Sequence, residues 1–108
     1  MILYGLPGCD TCRKALKAIR AAGRDVAFRD VRAEPLSPEE RRELLFVFGD
    51  RLVNRASTTW RGLSDEARRN DAGELLRQYP ALMKRPVIRD GTSFHIGWKA
   101  DTQALVLK

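Results

Sequence analysis

The chain has 108 residues, 20 Lys+Arg against 14 Asp+Glu, a formal charge of +6 and two cysteines. That length is the size of one domain with a single core, and a chain that is 44% hydrophobic and 31% charged is neither disordered nor fibrous. No apolar run approaches the ~20 residues of a membrane span, and Met1–Pro7 has no basic flank of the secretory kind. The expectation is a small, soluble, cytoplasmic domain, not an extracellular disulfide scaffold and not a membrane protein. The basic residues are interleaved with acids, as in Arg29-Asp30-Val31-Arg32-Ala33-Glu34, which reads as a solvated surface. No one-sided basic stripe or stacking aromatics point to nucleic acid. A general positive potential favours anionic small molecules.

Ile2–Tyr4 is an apolar β-former run, broken by Gly5, Pro7 and Gly8. Cys12, Ala15, Leu16, Ile19 and Ala22 then recur at helical spacing, and Gly23 stops that helix. Val26–Val31 alternates apolar and polar residues and reads as a second strand. Such a β-α-β opening implies a parallel pair with a right-handed crossover.

The middle of the chain is helical. Ser37-Pro38-Glu39-Glu40 is a capping box with Pro at the first helical position. Leu44, Leu45, Val47 and Phe48 are its expected buried side, Gly49 its end, and Asp50–Arg55 a further turn. Thr58–Gly62 reads as loop, and Ser64 caps a short helix through Asn70. Asp71 opens another, carrying Leu75, Leu76 and Tyr79 and stopping before Pro80.

The tail returns to β structure. Pro86–Arg89 is a strand, Asp90-Gly91 a hairpin signal and Ser93–Ile96 the returning strand. After Gly97, Asp101 is expected to cap a last helix whose apolar residues are Ala104, Leu105 and Leu107. The order β-α-β, helical block, β-β-α is that of an α/β thioredoxin-like fold. It implies a mixed four-stranded sheet and a helical insertion at about residues 36–80, all within one domain spanning 1–108.

Cys9-Asp10-Thr11-Cys12 sits where the first strand passes into the first helix. A thiolate, not a thiol, is the nucleophile. The free N–H groups and partial positive charge of a helix N-terminus favour that anion, and Arg13 and Lys14 add to the field. Cys9 lies in the loop and is the expected exposed nucleophile. Cys12 is one turn inward, either a resolving thiol or a buried core thiol. Asp10 opposes the thiolate but can cap the helix. A structural disulfide does not fit a reducing compartment. A zinc site needs a second ligand pair, whereas the single His95 lies far along the chain. No metal ligands are assigned. Lys84-Arg85-Pro86-Val87 is the second feature: in this fold Pro86 is a cis proline beside the cysteine loop. Arg85 is then either an anion ligand in the site or a surface arginine.

The stretches Tyr4–Ala15, Asn54-Arg55-Ala56-Ser57-Thr58-Thr59-Trp60-Arg61 and Lys84-Arg85-Pro86-Val87 resemble the ArsC/Spx/YffB family of arsenate reductase-like proteins. The Asn54–Arg61 stretch and Ile96-Gly97-Trp98-Lys99 are most similar to its YffB-type subgroup. The resemblance implies a thiol-dependent reductase with Cys9 as catalytic cysteine and Arg55 and Arg85 as active-site arginines; Cys12 is added to them from the C-x-x-C spacing, at a position where YffB-type proteins and arsenate reductases commonly have another residue. Thr11, Arg13, Arg61, Pro86 and Lys99 are the implied substrate-binding residues. It implies no tightly bound cofactor, glutathione as co-substrate, and glutaredoxin or thioredoxin as regenerating partners. The substrate is implied to be an anion or a disulfide. The chain departs from true arsenate reductases where a third arginine is expected: it has Gly97 and Trp98, with Lys99 a loose substitute. Trp98 either covers the site or closes the core. Two further functions follow from the same resemblance: a glutaredoxin-coupled arsenate reductase, or a Spx-like redox regulator of the RNA polymerase α-subunit suggested by Cys9–Lys14.

Overall fold

The structure, a computed structural model, describes all residues from Met1 to Lys108. The chain divides into two compact units, Met1–Val31 with Arg85–Lys108, and Arg32–Lys84. The second contains the expected helical segment and extends past it at both ends.

The first unit is built on a four-stranded sheet in the order β2-β1-β3-β4. Strand β1 (Ile2–Gly5) pairs in parallel with β2 (Ala27–Asp30) and antiparallel with β3 (Val87–Asp90), which pairs antiparallel with β4 (Ser93–Ile96). Helices α1 (Asp10–Ala21) and α6 (Ala100–Val106) complete the unit. This is the mixed α/β sheet of the thioredoxin-like class. The Leu3 and Ile88 side chains, paired across β1 and β3, are fully buried with Cys12, Ala15 and Ile19 of α1 and Val106 of α6. Trp98 packs against this cluster.

Helix α1 ends as its sequence demands. Gly23 has φ 78°, its N–H donates to Arg20 O (3.0 Å), and the next N–H, of Arg24, donates to Ile19 O (3.3 Å). That is a Schellman motif, and its left-handed residue is one glycine adopts without penalty. The Arg24 guanidinium then donates to Val106 O (2.8 Å) and Asp90 Oδ2 (3.0 Å), joining the ends of α1, α6 and β3.

Several boundaries differ from expectation. β2 is shorter than Val26–Val31, and β3 starts at Val87, not Pro86. Asp90 pairs with Ser93, so the two-residue turn is Gly91-Thr92, one position beyond the Asp90-Gly91 signal. Asp101 does not cap α6: the capping position is Lys99, and Asp101 lies in the first turn, accepting from the Thr102 N–H. Its buried residues are Thr102 and Val106, while Leu105 is half exposed, because a helix this short turns one narrow stripe inward.

In the second unit, α2 (Pro38–Phe48) opens with the expected reciprocal capping box. Glu40 N–H donates to Ser37 Oγ (3.1 Å) and Ser37 N–H to Glu40 Oε1 (2.8 Å). Leu44 and Phe48 are buried, whereas Val47 is exposed, since it lies off the i, i+4 stripe those two define. The further turn is a 3-10 turn, Gly49–Leu52. Thr58–Arg61, expected as loop, is one turn of helix, α3. Its cause is local: Ser57 Oγ accepts the Trp60 N–H (3.1 Å). Helix α4 (Asp65–Arg68), capped by Ser64, stops short of Asn70. The Asn70 side chain donates to Ala67 O (3.2 Å), taking a carbonyl that the next helical turn would need. Helix α5 (Ala72–Gln78) is capped by Asp71, buries Leu75 and Leu76, and packs against α2. A single bridge pairs Val53 with Met83.

Candidate functional site: the Cys9 thiol

The site grows from the β1–α1 turn. Cys9 N–H donates to Leu6 O (3.1 Å), which closes the turn, and Cys9 O accepts the first helical bond from Arg13 N–H (3.0 Å). Cys9 therefore occupies the N-cap of α1 with extended backbone. Asp10 is the first helical residue and not the cap. It accepts from Arg13 at the exposed surface, so the Arg13 charge is largely spent on Asp10.

Cys9 is half-buried and Cys12 buried, and both are free thiols. Burial acts most strongly on Cys9 and pushes its pKa up. That push is outweighed by the Cys12 backbone N–H, the Cys12 thiol and the Arg85 side chain, all of which hydrogen-bond Cys9, and by the Arg85 charge. The net result is a Cys9 pKa below the ordinary 9.0. Cys12 goes the other way, to about 11: burial is the main cause, and donation to Cys9 and the charge of its thiolate add to it. One proton thus serves two sulfurs, and it stays on Cys12.

The pair fits because residue 5 is glycine. A Cβ at Gly5 would overlap Cys12 Sγ, so any other residue there displaces the inner thiol. Beside it lies an apolar cavity of about 160 Å³ lined by Leu6, Pro7, Cys12, Arg13, Leu16 and Phe28.

Arg85 precedes a cis peptide bond to Pro86, as the fold required. Pro86 is buried, and its carbonyl accepts the Gly97 N–H (2.8 Å). Arg85 is half-buried with Nε shielded from solvent, so it is not a surface arginine. The structure therefore brings Cys9, Cys12, Arg85 and Pro86 together. Thr11 and Lys99 are exposed, Thr11 in the first turn of α1 and Lys99 just before α6.

Arg55 and Arg61 belong to the second unit. Arg61 Nη1 donates to Ala56 O (3.0 Å), a local tether. Arg55 lies over the Trp60 ring at 5.3 Å, and Arg68 lies near the same ring at 5.6 Å. Neither Trp60 nor Arg68 carried an assigned role in the sequence analysis. Arg68 is 13 positions beyond Arg55, and no periodicity links them.

A cysteine of lowered pKa at a strand-to-helix turn, with an arginine and a cis proline in the same unit, sits on the mixed four-stranded sheet of the thioredoxin-like class. The chain belongs to the ArsC family, whose model matches residues 4–104. A solved YffB protein is similar with TM-score 0.90 and 31% identity, over 99% of this chain and 98% of its own. An arsenate reductase-related protein of Brucella melitensis follows at TM-score 0.76 and 33% identity, over 95% and 89%. Among curated proteins, an uncharacterized protein of Haemophilus influenzae is 36% identical over 82% of this chain and 83% of its own. The global transcriptional regulator Spx of Listeria innocua is 30% identical over 92% and 80%.

Proposed function

We propose that the protein is a thiol-dependent oxidoreductase in which the Cys9 thiolate is the nucleophile and glutathione the co-substrate. The observation that carries this is Cys9 at the N-cap of α1, hydrogen-bonded by Cys12 and Arg85 so that its pKa falls. Cys9 attacks the glutathionyl sulfur of a mixed disulfide. The Cys9–sulfur bond forms as the old S–S bond breaks, and the other sulfur leaves as a thiolate. A second glutathione thiolate then attacks the glutathione sulfur held on Cys9. Oxidised glutathione leaves, and Cys9 returns as thiolate. Cys12 offers a second route: it gives up its proton, closes a Cys9–Cys12 disulfide and expels glutathione, and glutaredoxin or thioredoxin then reduces the pair. Arg85, with charge and donors fixed in one plane, holds an oxyanion or carboxylate near the sulfur. Arg55 is read as a further anion ligand. Arsenate reduction is the neighbouring activity, favoured by the related solved structures but lacking the third arginine at Gly97-Trp98.

The test is a coupled NADPH-oxidation assay with glutathione, glutathione reductase and glutaredoxin, on arsenate or a glutathione mixed disulfide. Turnover is expected on the mixed disulfide, lost in Cys9→Ser and reduced in Cys12→Ser. Full activity in Cys9→Ser overturns the reading. Turnover on arsenate names the neighbouring activity instead.

The Spx likeness, with its Cys9-Asp10-Thr11-Cys12 pair, favours one second reading: a redox switch that binds the RNA polymerase α-subunit. Retention of the subunit that differs between reduced and oxidised protein, with no turnover on either substrate, is its signature.

A further inference from the structure

The Trp60 ring is flanked by two guanidinium groups, and the two are held very differently. Arg68 Nε donates to Trp60 O (3.2 Å), Arg68 Nη2 donates to Arg61 O (3.0 Å), and Nη1 lies 3.6 Å from Asp65. Its fork is taken up by the end of α3, on Arg61 O and on Trp60 O, which also accepts the Leu63 N–H (3.1 Å). Arg55 donates no hydrogen bond to the protein. It has the Trp60 face at 5.3 Å and one loose ion pair, Nη2 to Asp50 at 3.8 Å, with the Asp50 side chain 89% exposed. An aromatic face holds a guanidinium without using its N–H edge.

The Asn54–Ser57 turn fixes the other end. Asn54 Oδ1 accepts the Ala56 N–H (3.1 Å), and Asn54 O accepts both the Ser57 N–H (3.3 Å) and its hydroxyl (2.8 Å). Ser57 in turn caps α3 and so sets where Trp60 stands. Arg55 is thus carried on a braced turn, with its ring partner locked from behind.

We propose that Trp60 and Arg68 are positioning residues: Arg68 clamps the α3 turn, Trp60 holds the Arg55 guanidinium flat, and the unspent N–H edge of Arg55 binds an anionic group in bidentate fashion. This rests on the reading of Arg55 as an anion ligand and names what makes it one. The ligand chemistry is a planar or tetrahedral group with two adjacent oxygens, a carboxylate or an inorganic oxyanion.

The test follows the Arg55 Nε–H by heteronuclear NMR while inorganic phosphate or S-methylglutathione is added. These two probes separate an oxyanion source from a peptide carboxylate source, and the blocked thiol keeps Cys9 chemistry out of the readout. The ring current of Trp60 displaces the Arg55 side-chain protons in the free protein. A saturable shift of Arg55 is expected with at least one probe. Trp60→Leu abolishes the ring-current displacement and weakens binding about tenfold, while Trp60→Phe restores most of it. Arg68→Lys keeps the charge but cannot span two carbonyls, and it weakens binding as Arg68→Gln does. Iodoacetamide labelling of Cys9 stays at the wild-type rate in all these variants. Absence of any Arg55 shift overturns the proposal, as does wild-type affinity in both Trp60→Leu and Arg68→Lys. An Arg55 response in a chain that reduces neither substrate supports the anion site and overturns the oxidoreductase reading alone.

Discussion

A thiol at a helix N-cap meets N–H groups that the helix leaves without partners, and one turn inward it meets the core. Cys9 and Cys12 occupy those two places, and their acidities separate accordingly. One equivalent of iodoacetamide at neutral pH is therefore expected to label Cys9 alone, as read by mass spectrometry, with Cys12 protected until the chain unfolds. Arg85→Gln removes a donor and a charge from Cys9. Its thiolate absorbance is expected to titrate at higher pH than in wild type, while Arg85→Lys keeps part of the effect. Gly5→Ala drives a methyl group into Cys12 Sγ. Its expected cost is about 1–3 kcal/mol in urea unfolding, with faster labelling of Cys12. The Cys9-x-x-Cys12 spacing put two thiols one helical turn apart. It was silent on the Cys12 proton and on Gly5, because both depend on β1 lying against α1.

The short helices are held by their caps. Ser37, Ser57, Ser64 and Asp71 each accept a backbone N–H at the third helical position. Ser37→Ala is expected to cost about 1 kcal/mol in thermal or urea unfolding. Ser57→Ala costs a similar amount and also loosens Trp60, so the Arg55 ring-current displacement shrinks. Caps with a periodic apolar run behind them, at Ser37 and Asp71, were legible as helix starts. Ser57 was not, because a one-turn helix has no periodicity to display. The exposed Phe46 and Val47 make the complementary point: an apolar residue in a helix does not reveal which way its stripe faces.

The two thiols also make stability depend on pH in opposite senses. Cys12 binds its proton more tightly folded, at about 11, than at its ordinary 9.0. Its contribution is complete below the ordinary value and lost as pH rises through the folded one. Cys9 has a folded pKa below its ordinary one, so its contribution is present above the ordinary value and lost as pH falls through the folded one. Urea midpoints measured across the alkaline range are expected to fall less steeply in Cys9→Ser than in wild type, because the Cys9 thiolate that helps hold the Cys12 proton is gone. In Cys12→Ala the fall is expected to flatten. Equal slopes in all three proteins count against the assigned burial of Cys12.

Strand order, the longer helices, the capping box, the Gly23 stop and the place of the cysteine pair at the strand-to-helix turn were all written in local pattern: alternation, 3.6-residue spacing, turn residues and caps. Those signals act within a few residues and so survive in the linear chain. The isomer of the Arg85–Pro86 bond, the contact of Arg85 with Cys9, the Arg24 link between three element ends and the stacking of Arg55 and Arg68 about Trp60 were not written there. Each joins residues that are distant in the chain or depends on how packed elements meet. Folding supplies the burial and fixed geometry that turn a common C-x-x-C into one acidic and one protonated thiol.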